Sequence, residues 1–240
     1  GAACNFHCFR IRKRAAEILT MLFYNFFGRP GFRVLFETVP GTAAAFAADP
    51  FSGGLRFSHA LRRARVQIVN FCLCLCLRLC LFDYISPDYV SFLGPWTQTM
   101  RSMTVGQALR TPIGDYNMPY LYLLLIISRL PFYDLSCIKL VSVLSDVLLA
   151  VGTARLVRML NRREELALVA FFAVLLAPTV FLNSAYWGQC DGIYTCFGVW
   201  GLYFGLKRRP IVSMTLLACA FSFKLQTIFL LPIILFFLVR

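Results

Sequence analysis

The sequence has few charged side chains, and acidic ones are the scarcest. Only 15% of its 240 residues are charged and 11 of them are Asp or Glu, whereas 59% are hydrophobic. Soluble domains are about 25% charged and roughly 45–50% apolar. So few carboxylates cannot solvate the surface of a soluble domain of this size. We therefore expect the apolar side chains to face lipid, which makes the lipid bilayer the first predicted partner.

Histidine is nearly absent as well. The only two, His7 and His59, precede the apolar part of the chain. A catalytic triad or metal cluster built on histidine is therefore excluded from the apolar part. A base that acts on a hydroxyl or phosphate group would have to be a carboxylate. The candidates are Asp83, Asp88, Asp115, Asp134, Asp146 and Asp191.

The ten cysteines do not have the spacing of a metal site. Four of them, Cys72, Cys74, Cys76 and Cys80, lie inside one apolar run that no second pair of ligands follows. Free cysteine behaves as a small apolar residue, so this run is typical of a membrane helix. The sequence predicts no disulfide and no structural metal.

Basic residues are frequent by comparison, and the formal net charge is +13. No known nucleic-acid-binding module is visible, so we predict no nucleic-acid partner. The basic residues form short clusters between apolar runs, as they do in the cytoplasmic loops of membrane proteins. The clusters are Arg62, Arg63 and Arg65; Arg155, Arg158, Arg162 and Arg163; and Lys207, Arg208 and Arg209.

Two regions differ along the chain. Residues 1–60 form a basic segment without the ~20 apolar residues that a membrane span requires, and we assign it no function. Residues 61–240 are predicted to be a transmembrane domain. Because the chain begins at Gly1 and ends at Arg240, directly after an apolar run, we interpret it as a fragment whose membrane domain is incomplete. Spans are predicted at residues 66–82, 119–132, 138–154, 166–182, 192–206, 211–223 and 227–239.

The basic clusters also predict an orientation. They place the start of span 66–82 in the cytoplasm, and the loops 83–118 and 183–191 outside. One conflict remains, because a complete span at 119–132 followed by the next span would place the basic cluster 155–163 outside. Either 119–132 is a re-entrant half-span shielded by protein, or one loop violates the charge rule.

The external loop 83–118 contains the first candidate site, in the sequence Ser-Pro-Asp-Tyr at residues 86–89. Asp88, at the membrane surface, could hold the reacting end of a donor or take a proton from an acceptor hydroxyl. The alternative is an interfacial loop with an aromatic belt and a solvated acid. Asp83 fits that alternative better than Asp88 does.

The second candidate site is the polar sequence 183–194, which interrupts an apolar stretch. Asp191 is the only charged residue between Glu165 and Lys207. An ionisable group at the end of a span is costly unless it is paired or hydrated, which favours a function. The alternative is that Asp191 caps the following helix, and both roles are compatible.

Two further ionisable residues lie within or between apolar runs. Lys224 could pair with Asp191 or with a lipid phosphate, or it could snorkel to the interface. Asp146 lies inside a predicted span, where a polar contact between packed helices is the favoured interpretation.

Several short motifs occur in order along residues 66–240. The motifs are Asp88-Tyr89, Phe92-Leu93, Pro95-Trp96, Tyr116 to Tyr122, Asn183, Trp187 to Asp191, Tyr194, Phe223 to Gln226, and Pro232. The most specific part is Trp-Gly-Gln-Cys-Asp followed by Lys-Leu-Gln. The set resembles bacterial membrane mannosyltransferase-like proteins related to the second mannosyltransferase of glycosylphosphatidylinositol synthesis, which are C-type (GT-C) glycosyltransferases.

The resemblance implies an all-α fold, a polytopic bundle of transmembrane helices with the active site on the external face. It implies a polyprenyl-phosphate-linked sugar as donor, a glycan, lipid or protein as acceptor, and a catalytic acid in the first external loop. That acid corresponds to Asp88, with Asp83 as its substitute. Proteins of this type carry further spans and a later external loop, which this chain does not reach.

The chemistry implied by the resemblance is an inverting transfer of a hexose, with mannose as the expected sugar. Asp88 would take the proton of the attacking hydroxyl while the lipid phosphate leaves. Lys224 would offset the charge on that phosphate. The sequence assigns no metal site and leaves open whether a divalent cation assists. The expected substrate-binding residues are Trp187, Gln189, Asp191, Asn117, Lys224 and Gln226.

Two other functions compete with this interpretation. Short spans interrupted by Gly and Pro, with an acid inside the membrane, also occur in transporters and lipid flippases. Against a transporter, no inverted repeat is visible and the acids gather on one predicted face. A non-catalytic membrane scaffold is the third option, and it leaves the cluster from Trp187 to Asp191 unexplained.

Overall fold

A computed structural model describes the backbone of residues 50–230 and 232, and the side chains of residues 64–230 and 232. These residues form helices and contain no strand, which confirms the predicted all-α class for the described part of the chain. The chain separates into two compact units, Gly1–Asn70 and Phe71–Arg240. Most of the segment 1–60, to which no function was assigned, lies outside the described residues.

Nine α-helices and three irregular helical turns are described. The helices are α1 Pro50–Cys80, α2 Gly94–Ser102, α3 Val105–Ala108, α4 Met118–Ser128, α5 Asp134–Asn161, α6 Glu164–Leu176, α7 Pro178–Phe181, α8 Asp191–Leu206 and α9 Pro210–Phe223. The turns are two π-helical segments, Tyr89–Leu93 and Leu182–Trp187, and a 3₁₀ segment, Leu225–Leu230.

The ends of the helices follow from local chemistry. α5 ends at Arg162, whose left-handed conformation (φ 53°) reverses the chain into α6. α6 ends because Pro178 follows, and a proline forces the residue before it out of the helical region. Ala177 is accordingly extended, with ψ of 122°. The predicted single span 166–182 is therefore broken, with a bend of 47°.

The long helices of the second unit alternate in direction. Asp146 in the middle of α5 contacts Arg78, and Lys139 near its start contacts the carbonyls that follow α1, so α1 and α5 are antiparallel. The indole of Trp200 in α8 donates to the Leu148 carbonyl. Since Gly192 at the start of α8 lies against Asp146, α8 runs parallel to α5.

The last long helix, α9, is antiparallel to α8. Ser213 near its start donates to the Gly201 carbonyl at 2.7 Å. Phe223 at its end stacks on Phe197, with ring centroids 5.8 Å apart. Helices α1, α6 and α9 therefore run toward the side of the unit from which α5 and α8 start. The end of α6 and the start of α8 lie beside Asp146 in the middle of α5. The basic clusters at 155–163 and 207–209 lie at the opposite end.

The short helix α4 does not carry the chain to that opposite end. Arg129, directly after α4, donates to the carbonyls of Met100 and Met103 at the end of α2, at 2.8 Å each. Tyr116, before α4, packs against Trp96 near the start of α2. The 11 residues of α4 extend about 16 Å, roughly half the hydrocarbon thickness of a bilayer. This geometry favours the interpretation of 119–132 as less than a full span.

The other predicted spans correspond to helices of varied length. The predictions 192–206 and 211–223 agree with α8 and α9 to one residue at each start. Among the described residues, α5 is the single helix long and apolar enough to cross a membrane alone. The bent pair of α6 with Pro178–Trp187 would supply a second crossing. Most of the predicted span 227–239 lies outside the described residues.

The main apolar core lies beside two segments, residues 86–93 and 182–190, that carry the predicted site residues Asp88, Trp187 and Gln189. Leu124 on α4, Ile138 on α5 and Ile193 on α8 are buried within it, together with Leu93 and Cys190 from the segments that carry the candidate site. The core therefore supports the backbone of those segments directly.

Candidate functional site

The first site-bearing segment follows the end of α1. Ser86 is fully buried and its hydroxyl accepts a hydrogen bond from the backbone N–H of Tyr89 at 3.3 Å. This contact starts the π-helical turn Tyr89–Leu93 with Asp88 at its beginning. Single π-helical turns are frequent at functional sites. Asp88 is half-buried.

The second site-bearing segment follows α7. The π-helical turn Leu182–Trp187 ends at Gly188, which has φ of +79°. That left-handed conformation strongly favours glycine. Gly188 therefore reverses the chain direction shortly before α8. Trp187 precedes this reversal and Gln189 follows it.

The two segments meet at the carboxylate of Asp88. The indole N–H of Trp187 donates to its Oδ2 at 2.8 Å, and the side-chain amide of Gln189 donates to the same oxygen. Hydrogen bonds to a charged acceptor are about twice as strong as neutral ones. No described residue donates to Oδ1 of Asp88, so the carboxylate has one held oxygen and one open oxygen.

Tyr116 extends this network. Its hydroxyl donates to the Gln189 side-chain carbonyl at 3.2 Å, which fixes the amide with its NH₂ toward Asp88. Burial, with a smaller contribution from the charge of Asp88, raises the pKa of Tyr116. The phenol therefore stays protonated and remains a donor at neutral pH.

A second carboxylate lies two residues beyond Gln189. Asp191 is the first residue of α8, and Cys190 occupies the capping position before it, so Asp191 is not the helix cap. Its carboxylate accepts a hydrogen bond from the amide of Asn183 at 3.1 Å and forms an ion pair with Lys224. The ammonium also lies 5.7 Å from the ring centre of Tyr194.

The ion pair decides the protonation of Lys224. Burial alone would lower its pKa, but the hydrogen bond and the negative charge of Asp191 outweigh burial, and the pKa is raised. Lys224 is therefore a cation throughout the physiological range. Of the three roles considered for it, pairing with Asp191 is the one the structure contains.

Buried polar contacts with side chains of α5 fix the second segment in place. The Ser142 hydroxyl on α5 donates to the Gln189 backbone carbonyl at 2.8 Å. Asp146, one turn further along α5, accepts from Ser184 at 2.5 Å and lies 3.4 Å from a guanidinium nitrogen of Arg78. Asp146 is therefore a contact between packed helices rather than a residue exposed to substrate.

The predicted site residues are partly brought together. Asp88, Trp187 and Gln189 form one cluster, and Asp191 and Lys224 form another. Asn117 lies at the start of α4 and its side chain makes no capping hydrogen bond. Gln226 is exposed in the 3₁₀ segment, without a hydrogen bond to the described residues. Asp83 is exposed, whereas Asp88 is the acceptor of the hydrogen bonds from Trp187 and Gln189.

Three contributors were missing from the sequence-based site. Tyr116 belongs to the motif from Tyr116 to Tyr122 but had no assigned role, and Ser142 leaves no pattern; the hydroxyl of each acts through one contact to Gln189. Lys139, which binds carbonyls near Asp88, had a usable signal. It is a single cation inside an apolar run, and such residues mark functional positions in membrane segments.

No step of the chemistry is assigned to a metal. Among the residues whose placement is described, no group of three or more His, Cys, Asp or Glu is arranged to hold a metal ion. The cysteines from Cys72 to Cys219 within that part of the chain are free thiols.

Residues 122–240 match a family model described as alpha-(1->6)-mannopyranosyltransferase, N-terminal domain. This match covers the segment with Trp187, Gln189, Asp191 and Lys224, and it begins after Asp88. It supports a mannosyltransferase-like protein and a function in glycosyl transfer. No curated protein and no solved structure matches the chain.

Proposed function

We propose that this protein is a multi-pass membrane glycosyltransferase of the GT-C type, which transfers mannose from a polyprenyl-phosphate donor to a hydroxyl acceptor with inversion. The observation that carries the proposal is the contact of Asp88 with Trp187 and Gln189. It joins the acid expected to be catalytic to the motif that lies in the mannosyltransferase-like region.

Asp88 acts as the general base. Trp187 and Gln189 hold Oδ2, and the open Oδ1 receives the proton of the acceptor hydroxyl as its oxygen attacks the anomeric carbon. The bond from that carbon to the lipid phosphate breaks, and the lipid phosphate departs. Attack opposite the leaving group inverts the configuration, so an α-linked product requires a β-linked donor.

Lys224 and Asp191 serve the donor side. An ammonium is a compact partner for a phosphate oxygen, and Lys224 is held beside the site by Asp191 rather than buried away from it. A phosphate that arrives there finds a cation already in position, which favours charge developing on the leaving group. Trp187 and Asn183 form the remaining surface that contacts the sugar.

The helix directions support an external site at the membrane surface. Both site-bearing segments lie at one end of the second unit, and the basic clusters 155–163 and 207–209 lie at the other. With those clusters in the cytoplasm, the site faces outward. In this topology α4 remains on the external side, and the parity conflict of the sequence disappears.

The test is a transfer reaction in lipid nanodiscs. We would supply β-linked polyprenyl-phosphate mannose and a mannoside acceptor, and compare wild type with Asp88→Asn. The expected loss of turnover is about 10²–10⁴-fold, the usual contribution of a general base. Asp115→Asn, an exposed carboxylate of the same loop, is the matched control and should retain full activity.

Two outcomes would contradict the proposal. Full activity in Asp88→Asn together with loss in Asp83→Asn would move the base to Asp83. Substrate flux across sealed vesicles without any sugar transfer would replace the enzyme by a transporter.

A further inference from the structure

A fully buried lysine lies between the two segments that form the site. Lys139 is on the second turn of α5 and has no exposed surface. Burying an ammonium is expensive unless its hydrogens are bound and its charge is compensated. A lysine buried at this cost indicates that its charge has a specific role in the segments around it.

All three hydrogens of the ammonium have acceptors. Lys139 Nζ lies 3.1 Å from the carbonyl oxygen of Leu81, 3.2 Å from that of Phe82 and 2.7 Å from that of Tyr84. These carbonyls follow the end of α1, where the helix dipole is negative and unpaired carbonyls favour a cation. The charge of Lys139 therefore fixes the chain reversal that leads, four residues later, to Asp88.

The stem of the same side chain lies beside the second segment. A β-carbon on Gly188 would lie 3.5 Å from Cγ of Lys139, which is ordinary van der Waals contact. Gly188 stands between Trp187 and Gln189, the two residues that hold Asp88. The side chain of Lys139 thus binds the backbone of the first segment through its ammonium, and its stem occupies the space beside Gly188 in the second segment.

A ring contact completes the connection. Tyr84, whose carbonyl Lys139 binds, stacks on Tyr186 with ring centroids 3.7 Å apart. Tyr186 directly precedes Trp187. The position of Tyr84 therefore influences the segment of Asp88 through the chain and the segment of Trp187 through the stack.

We propose that Lys139 is the positioning residue that sets Asp88 against Trp187 and Gln189. It touches neither substrate nor the reacting atoms, and it acts by fixing the distance between the two segments. The inference rests on the proposed function for its kinetic consequence, but the arrangement itself is measurable without substrate.

The kinetic test compares Lys139→Met with Lys139→Arg. Methionine keeps much of the stem and removes the cation, so kcat should fall by about 100-fold, the cost of displacing a catalytic group by roughly 1 Å. KM for the donor should change little, because Lys224 and Asp191 are untouched. Arginine keeps the cation and should restore part of kcat.

Arg129→Met is the matched control. Arg129 is also a cation that donates to backbone carbonyls at the end of a helix, those of Met100 and Met103, and its hydrogen bonds to the described residues do not reach the segments of Asp88 and Trp187. Its loss should lower thermal stability and leave kcat close to wild type. Equal effects on kcat from both Met variants would overturn the positioning role.

A double variant tests whether Lys139 acts through Asp88. Adding Lys139→Met to Asp88→Asn should cause no further decrease in kcat. The asparagine does not act as a base, so displacing it does not change the rate. Multiplied losses would show that Lys139 supports the protein in another way, and would reject the proposal.

A substrate-free readout separates this inference from the proposed function. With Trp96→Phe and Trp200→Phe, Trp187 is the only tryptophan of the chain. Lys139→Met should increase the quenching of its fluorescence by acrylamide, whereas Arg129→Met should not. An unchanged quenching constant would overturn the inference. Increased quenching in a protein that transfers no sugar would leave the inference standing and reject the proposed function.

Discussion

The indole N–H of Trp187 lies 2.8 Å from the carboxylate of Asp88, across a separation of 99 residues. The contact fixes one oxygen of the acid and leaves the other for chemistry. A base held in this way has its orientation set before substrate arrives, so no rearrangement is needed during the reaction.

The first prediction concerns this contact. Trp187→Phe keeps an aromatic ring and removes the donor, while Gln189 continues to hold Asp88. A hydrogen bond to a charged group contributes roughly 1.5–3 kcal/mol, so kcat/KM for sugar transfer should fall by about 10–100-fold. Trp200→Phe, which loses a bond to the Leu148 carbonyl, should lower stability instead. Unchanged transfer in Trp187→Phe would deny the contact a role.

The second prediction concerns the ion pair of Lys224 and Asp191. Because the folded pKa of Lys224 is raised, the pair contributes its full stabilisation below the unfolded lysine pKa of about 10.4. That contribution is lost as the pH rises through the folded pKa. Thermal unfolding followed from pH 9 to about pH 11 should therefore fall more steeply for wild type than for Lys224→Met. Parallel curves would show that the pair does not stabilise the fold.

The third prediction concerns the close approach of α8 to α5. A β-carbon on Gly192 would lie 2.8 Å from Oδ1 of Asp146, well inside contact distance. Gly192→Ala should displace Asp146 and Ser184, and lower both the melting temperature and the rate of transfer. Gly106→Ala, where nothing lies within 4 Å, should be neutral or stabilise by up to about 1 kcal/mol. Equal melting temperatures for Gly192→Ala and wild type would indicate that α8 and α5 can move apart without loss of stability.

The fourth prediction concerns the buried pair of Arg78 and Asp146, each 1% exposed. Asp146→Leu leaves a guanidinium buried without its partner and should destabilise the protein by about 3–5 kcal/mol. The double variant Arg78→Leu, Asp146→Leu removes both charges and should recover most of that loss. The free energy of unfolding should be measured in detergent for wild type, Asp146→Leu and the double variant. A double variant less stable than Asp146→Leu would contradict this account.

Hydropathy alone located several helices. The runs that became α8 and α9 have polar or proline-containing boundaries, and their predicted limits agree with the structure. The prediction 166–182 ran through Pro178 because its apolar character continues on both sides. The prediction 119–132 left open whether the segment is a full span or a re-entrant half-span, since composition does not reveal that both ends of α4 lie beside α2.

The two halves of the site were predicted, but their contact was not. Asp88 and the cluster around Asp191 each stand out as acids near apolar runs. What joins Asp88 to Trp187 is the antiparallel packing of α1 and α5, and a single sequence carries no signal for such a pairing. The carbonyl partners of Lys139 are backbone atoms that any sequence provides, so its contacts could not be predicted, although its position as a single cation inside an apolar run marked it as a candidate.

The break at Pro178 also explains how a guanidinium can be accommodated so deeply. Because the helix stops at Leu176, the Leu175 carbonyl lacks a helical partner, and Arg78 donates to it at 2.8 Å. A continuous helix at this point would place a backbone N–H on that carbonyl in competition with Arg78, whose buried Nε already has no hydrogen-bond partner among the described residues. The proline and the arginine are therefore a matched pair that should be gained or lost together among related chains, although 100 positions separate them in the sequence.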